Sequence, residues 1–345
     1  MRDKKTVLVT GGTGFVGIHT ILQLLQKGYA VKTTIRNLNR KDEVLEMLKY
    51  GGISTFDDLI FVEADLTKDT HWDEAVGNCD YVLHLASPIF LSLPKDKNEM
   101  IRPAVEGTLR VLKAARDARV KRVVMTSNFG AVGYSHKNPN TEITEKDWTD
   151  PNEKGLSSYN RSKVLAEQAA WDFIDKEGGE LELSVINPVG IFGPSLSGKL
   201  SAGFELLKNL LDGSMKAIPN LKMNVIDVRD VADLHIRAMT TPNAQGQRFL
   251  ALAGGEISLP QIAELLKREM PEIAKKVPTR MLPDWIVSLG GLFNPKLKNV
   301  ASMLKAKRDK VSNQKAKDIL DWSPISTNEA AILASVESMI KFGNI

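Results

Sequence analysis

The sequence predicts a doubly wound α/β fold: a parallel sheet covered by helices on both faces, with a smaller C-terminal lobe. Three observations predict it. Short apolar runs alternate with longer segments of helical spacing up to residue 190. The first run passes straight into Gly11-Gly12-Thr13-Gly14-Phe15-Val16-Gly17. The chain has 345 residues, enough for roughly two domains or one large domain carrying a lobe.

The elements follow in order. Residues 6–10 (Val7, Leu8 and Val9 between polar ends) read as a fully buried strand. Residues 15–27 place apolar side chains at 15, 18, 21, 22 and 25, a helical spacing, and Gly28 stands where a helix stops. Residues 30–35 form a second strand. A helix over 41–48 ends at Gly51-Gly52. Strands follow at 59–64, 81–86, 122–126 and 181–186, and helices at 72–76, 98–118 and 157–175. Right-handed crossovers make this series a doubly wound sheet. After Pro188 the rhythm breaks. Residues 191–225 are rich in Gly, Ser and Pro, with one helical patch at 204–211. Residues 224–239 read as strand then helix, able to return to the main sheet. Residues 246–305 are mixed, punctuated by Pro271, Pro278, Pro283 and Pro295. The expected division is therefore a nucleotide-type domain over 1–190, also receiving 224–244 and 310–330, and a lobe built from 191–223 and 245–309.

Composition narrows the function. Hydrophobic residues make up 43% and charged residues 26%, ordinary values that exclude wholesale disorder, collagen-like repeats and coiled coil. The net charge of +4 is too even to imply nucleic-acid binding. The basic stretch 296–317 reads first as a solvated face, and secondly as a docking patch for an anionic substrate tail. Cys79 is the single cysteine, which excludes an internal disulfide and a multi-cysteine metal site and fits a reducing compartment. The apolar run after the charged N-terminus is too short for a secretion signal, and no stretch is long enough to span a membrane. A cytoplasmic protein is expected. The five histidines (19, 71, 84, 136 and 235) show no metal-ligand spacing. His84, at a strand end, is expected to be satisfied by backbone. No G-x-S-x-G nucleophile elbow is present.

Two constellations carry chemistry. Gly11, Gly14 and Gly17 lie between a strand and a helix. There Gly11 permits a tight turn, Gly14 lets backbone approach a pyrophosphate, and Gly17 brings the helix close to the strand. The helix N-terminus then faces the phosphate. At the end of the second strand stands Arg36, and no acid occurs from Tyr29 to Lys41. A guanidinium grips a 2′-phosphate that a carboxylate would repel, so NADP(H) is the expected cofactor. Asp65, after the third strand, is placed either to reach the adenine or to cap the next turn. The second constellation is Tyr159 and Lys163, which share one helix face at i and i+4. A phenol has a pKa near ~10. Lowering it by about 3 units takes roughly 4 kcal/mol, within reach of two cations in a poorly solvated cleft. Lys163 is also placed to hold the nicotinamide ribose.

With these residues in place, the whole chain resembles the extended short-chain dehydrogenase/reductase superfamily. Within it, the dihydroflavonol-reductase and aldehyde-reductase branch is the most similar. The resemblance rests on residues 9–17, Thr34-Ile35-Arg36, Asp65-Leu66, His84-Leu85-Ala86-Ser87-Pro88, Thr126-Ser127-Asn128, Tyr159-Asn160-Arg161-Ser162-Lys163 and Asn187-Pro188. It implies a Rossmann domain, Tyr159 as general acid in carbonyl reduction and Lys163 as its electrostatic partner. It carries cofactor contacts onto Gly11, Thr13, Gly14, Phe15, Val16, Gly17, Arg36, Lys41, Asp65, Leu66, Leu85, Ala86, Ser87, Pro88, Thr126, Tyr159, Lys163, Pro188 and Val189, and makes the lobe the substrate-binding part. Phe90, Leu91, Phe192, Phe204 and Met223 are expected to line an apolar pocket, or else to be ordinary core.

Two departures matter. The family usually ends its fifth strand with Thr-Ser-Ser, whose last serine helps bind the substrate carbonyl. Here Asn128 stands there, with an amide N–H₂ able to donate the same bond. Ser127, pointing to the other face, is expected to bond nearby backbone, unless a strand-end bulge swaps the two. The Asn-Trp-Tyr-Cys-Tyr signature of cinnamoyl-CoA reductases is replaced by Leu156-Ser157-Ser158-Tyr159, which disfavours a CoA thioester. The expected function is NADPH-dependent reduction of an aldehyde or ketone. Alternatives are a nucleotide-sugar epimerase or dehydratase, and an NADP-binding regulator without turnover. The expected partner is a small-molecule carbonyl substrate, with no nucleic acid and no membrane, in a monomer or homodimer.

Overall fold

The computed structural model describes residues 4–87, 98–138, 140–291, 300, 301, 304 and 310–345. The chain runs β1 (Thr6–Thr10), α1 (Phe15–Gln26), β2 (Ala30–Ile35), α2 (Lys41–Tyr50), β3 (Leu59–Glu63), α3 (Trp72–Val76), β4 (Tyr81–His84), α4 (Asn98–Asp117), β5 (Arg122–Thr126), α5 (Ser158–Glu177) and β6 (Glu182–Pro188). It continues through β7 (Gly190–Phe192), α6 (Ala202–Leu211), β8 (Ile218–Pro219), β9 (Lys222–Met223), β10 (Val225–Asp227), α7 (Val228–Thr240) and β11 (Arg248–Ala251). The remainder holds β12 (Ile257–Ser258), α8 (Leu259–Glu269), β13 (Met281–Leu282), α9 (Asp284–Gly290) and two C-terminal helices, Gln314–Leu320 and Asn328–Lys341.

Seven strands make one sheet in the order β11-β6-β5-β4-β1-β2-β3, every pairing parallel. The order in which strands are added reverses between β1 and β4, the crevice where such sheets bind ligands. Strand side chains alternate between two apolar layers. Val7 and Val9 pack toward α1, α2 and α7, and Leu8 packs toward α3, α4 and α5. Both faces being covered explains why β1 is continuously apolar. Gly28, at φ 81°, follows the end of α1 as expected. The lobe has its own core, which joins Phe192, Phe204, Leu207, Ile262, Leu266, Ile332 and Val336. Among the described residues no helix is long and apolar enough to cross a membrane.

Two placements differ from the sequence reading. β11 lies within the span expected to belong to the lobe, yet it pairs with β6 and completes the sheet. Its four residues are all buried, so the open edge of β6 is where they shed water. β10 pairs with β7 rather than with the main sheet. The following helix α7 does return, because the Arg122 guanidinium on β5 donates to the Ala238 and Thr241 carbonyls at 2.7 and 2.6 Å. Beyond the span the sequence reading assigned, the terminal helix Asn328–Lys341 supplies lobe core through Ala331, Ile332, Val336 and Met339, while Ala316, Leu320 and Trp322 lie in the sheet layer.

Candidate active site

The glycine loop closes over the C-terminal end of β1. Gly11 has φ 78°, a conformation that favours glycine, and its N–H donates to Thr34 Oγ1 at 3.2 Å. A Cβ at Gly11 would press on Ala86 Cα at 3.1 Å, and one at Gly17 would collide with the Gly11 carbonyl oxygen. Gly12 is equally constrained, because a Cβ there would collide with Thr33 Oγ1. Gly14 is the N-terminal cap of α1, and among the described residues no side chain caps that end. First-turn N–H groups of Phe15, Val16 and Gly17 therefore stay available to an anion. This bare backbone cradle fits a dinucleotide pyrophosphate.

Thr10 ties the loop to the end of β4. Its Oγ1 accepts from the Leu85 and Ala86 N–H groups at 3.1 and 3.0 Å, which leaves its own proton for His84 Nδ1 at 3.0 Å. His84 is thus satisfied by a side-chain hydroxyl, not by backbone as expected. Burial, then the nearby Lys163, push its pKa down to about 3, so it stays neutral. Arg36 is exposed at the end of β2. Asp65 caps the turn after β3, its Oδ1 accepting from Thr67 N–H and Oγ1 at 2.8 and 2.9 Å. Partial burial opposes ionisation, but those bonds and the nearby Arg36 hold its pKa below the ordinary value. Lys41 opens α2, with Nζ 5.4 Å from the Phe61 ring centre. Arg40 is engaged by Glu43, which also takes Lys199 from the lobe. Thr13, Leu66, Ser87 and Val189 are half-buried around the same crevice edge, and Pro188 is buried at the end of β6. Thr126 Oγ1 donates to His235 Nε2 at 2.6 Å.

Tyr159 and Lys163 occupy the first turns of α5, whose start is fixed by Ser157: its Oγ accepts the Asn160 N–H at 3.1 Å. Lys163 Nζ lies 6.0 Å from the Tyr159 ring centre. Lys163 is buried and forms no hydrogen bond among the described residues. Burial lowers its pKa to about 8, with Glu167, one turn on, pulling the other way. Tyr159 is 45% exposed. Burial of its hydroxyl end pushes the phenol pKa up, and the Asn128 side chain opposes this.

At the end of β5 the two candidate carbonyl-binding residues separate. Asn128 turns its amide to the first turn of α5, and Nδ2 donates to Asn160 Oδ1 at 3.3 Å. Ser127 does not bond backbone through its hydroxyl as expected: Oγ is buried with no partner, and only its N–H donates, to the Ile186 carbonyl at 2.8 Å. Ser127 follows Met125 in strand alternation and faces the α4/α5 layer, where backbone groups are already paired within strands and helices.

Sequence reasoning missed the network beneath. Asn187 Nδ2 donates to the Asn128 carbonyl at 3.3 Å and to Glu167 Oε2 at 2.8 Å. Glu167 Oε1 accepts from Arg248 Nε at 2.6 Å. Arg248 also donates to the Glu145 and Asp147 carbonyls and stacks on Trp148, 3.7 Å from the ring centre. The available signal was the i+4 spacing from Lys163 to Glu167; the partner lies 81 residues away. The pocket reading is corrected as well. Phe192 and Phe204 are 2% and 1% exposed, and Phe204 meets Phe15 edge-on at 5.4 Å. They join the glycine-loop helix to the lobe core and offer no surface to a ligand. Met223 is half-buried against the same core. Pro88, Phe90 and Leu91 lie outside the described residues, as does half of the basic stretch 296–317.

The doubly wound sheet, the bare glycine cradle at its switch point and the helix-borne tyrosine–lysine pair define a class of nucleotide-binding α/β protein. Residues 7–251 match the NAD dependent epimerase/dehydratase family, and the chain belongs to that family. A putative NADPH-dependent methylglyoxal reductase from Candida albicans is 34% identical, covering 81% of this chain and 86% of that protein. Cinnamoyl-CoA reductase 1 from Arabidopsis thaliana is 35% identical, covering 99% and 91%. Among solved structures, Gre2 from Candida albicans in complex with NADPH superposes with a TM-score of 0.80 at 28% identity, covering 98% and 99% of the two chains.

Proposed function

We propose that this protein is an NADPH-dependent reductase that converts an aldehyde or ketone to an alcohol. The observation that carries the reading is the Tyr159–Lys163 pair on α5 facing Asn128 at the end of β5, on a sheet whose β1 end forms a bare phosphate cradle. The relatives named above include an NADPH-dependent reductase and a protein solved with NADPH, which supports the cofactor and the direction of chemistry.

In this reading the N–H groups at the start of α1 hold the pyrophosphate. Arg36 grips the 2′-phosphate. Lys163 holds the nicotinamide ribose, and Ala86 and Pro188 line the nicotinamide side. When bound, the nicotinamide supplies a hydride to the carbonyl carbon. Asn128 donates an amide N–H to the carbonyl oxygen and stabilises the charge that develops there. Tyr159 gives its hydroxyl proton to the same oxygen, and the ammonium of Lys163 stabilises the phenolate left behind.

The test is NADPH consumption, followed by absorbance, with a panel of aldehydes, ketones, 1,2-dicarbonyls and one aromatic CoA thioester. Turnover with free carbonyls, and a fall of about 10²-fold in Tyr159→Phe while NADPH still binds, is expected. Turnover of the thioester alone, or undiminished activity in Tyr159→Phe, defeats the reading.

A further inference from the structure

Carbonyl reduction as read above needs one substrate oxygen to meet two side chains at once. Asn128 stands at the end of β5, and Tyr159 stands on α5. The relative placement of strand end and helix decides whether both bonds can form. A misplacement of about 1 Å can cost about 10²-fold in rate.

The backbone ladder does not set that placement. The Ser127 N–H donates to the Ile186 carbonyl at 2.8 Å, and the next ladder bond from β6 to β5 would come from the N–H of residue 188. That residue is Pro188, which has none. The side chain of Asn187 takes over at this point. Its Nδ2 donates one N–H to the Asn128 carbonyl at 3.3 Å and the other to Glu167 Oε2 at 2.8 Å. A carbonyl and a carboxylate accept and do not donate, so the sense of this amide is fixed. Asn187 and Glu167 are both fully buried. Glu167 follows Lys163 by one turn of α5, and Arg248 Nε anchors its other oxygen at 2.6 Å. One amide thus joins the backbone of Asn128 to the helix that carries Tyr159 and Lys163. A second tie, from Asn128 Nδ2 to Asn160 Oδ1 at 3.3 Å, joins side chains and leaves the strand backbone unheld. The Asn187 bracket has a cost, because its own Oδ1 is buried without a partner. An apolar side chain of similar size would fill the same space without that orphan; it could not hold the two acceptors together.

We propose that Asn187 is a positioning residue that fixes the end of β5 against α5, and so brings Asn128 and Tyr159 onto the same substrate oxygen. This rests on the reading above in which Asn128 holds the carbonyl oxygen.

A double-mutant cycle tests it, with kcat and KM for the best carbonyl of the panel and the Kd of NADPH measured for each variant. Asn187→Leu keeps the bulk and removes both donors. It should lower kcat by about 10-fold and leave NADPH Kd unchanged, which reports an intact cleft. In an Asn128→Ala background the further loss should shrink to less than about twofold, because no amide is left to place. Asn187→Ala, which leaves room for water, goes through the same cycle and should behave alike. Equal losses in both backgrounds, or full activity in both Asn187 variants, overturn the proposal. Failure of both variants to fold overturns it too, because Asn187 would then be a structural residue. Asn128→Ala with full activity defeats the underlying reading instead. An impaired Asn128→Ala together with uncoupled Asn187 variants defeats this proposal alone.

Discussion

Lys163 is a buried ammonium whose pKa has come down to about 8, and that sets a measurable limit on the cleft. Below that pH the side chain is charged and, in the proposed reading, supports both the ribose and the phenolate of Tyr159. As pH rises through about 8 it loses its proton, and carbonyl reduction should fall with the loss of one proton. A pH–rate profile in the reductive direction, flat from pH 6 to 7 and declining above 8, is the expected result; no decline before pH 10 would show that the charge is not used. Arg36 makes a second prediction at this scale. Arg36→Ala should weaken NADPH binding by about 10- to 100-fold, the worth of a charge-assisted hydrogen-bond partner, and leave NADH almost unaffected. Equal weakening of both cofactors by titration would remove Arg36 from the 2′-phosphate. Both residues were legible in the sequence, because one is defined by i,i+4 spacing and the other by its place after a strand. The fate of Ser127 and Phe204 was not. Whether a strand-end hydroxyl finds a partner, or a phenylalanine faces a pocket or a core, depends on side chains contributed from elsewhere in the chain, and Phe15 stands 189 positions before Phe204.

Element by element, the strand least legible in advance, β11, does the most to brace the site. Phe249, Leu250 and Ala251 read as a short apolar run, which fits a buried strand or part of a lobe equally well. What assigns them to the sheet is the open edge of β6 and the buried ion pair between Arg248 and Glu167. Through Asn187 this pair reaches the backbone of Asn128, so the outermost strand supports a residue two strands inward. Removing one partner of a buried pair leaves an uncompensated charge. Arg248→Met should therefore destabilise the fold by about 3–5 kcal/mol, and Arg248→Met with Glu167→Leu should recover much of that loss. Urea unfolding of the two variants decides it. A single variant within about 1 kcal/mol of the parent would mean that the Arg248–Glu167 pair is not held away from water in the folded state. The strands from β1 to β6, by contrast, were legible because each is bracketed by turn residues and followed by a helix of clear period.

For the molecule as a whole, sheet and lobe are joined by contacts that bury titratable groups. His19 on α1 meets the Pro194 carbonyl through Nε2 at 2.8 Å, and Phe15 meets Phe204 one turn earlier on the same helix. His84 lies under the glycine loop, and His235 locks α7 to Thr126 while its Nδ1 donates to the Val231 carbonyl at 2.7 Å. Burial holds the three imidazoles at about 4, 3 and 4 respectively. An unfolded histidine titrates near ~6.5, so the unfolded chain binds up to three more protons than the folded one near pH 5. The stability these groups contribute is present above pH 6.5 and lost as pH falls toward 4. Two carboxyls work the other way. Burial raises Asp230 to about 6 and also raises Glu145, so the folded chain keeps protons that the unfolded one releases. His136, also raised, adds to that opposing retention; the three buried imidazoles still outnumber the groups that stay perturbed at pH 5, so stability falls on acidification below 6.5. Denaturant unfolding at pH 7, 6 and 5 should show that fall, and His235→Asn should flatten the slope by about one proton. Constant stability from pH 7 to 5 would mean that the imidazoles titrate without unfolding, through local opening of the contacts that bury them.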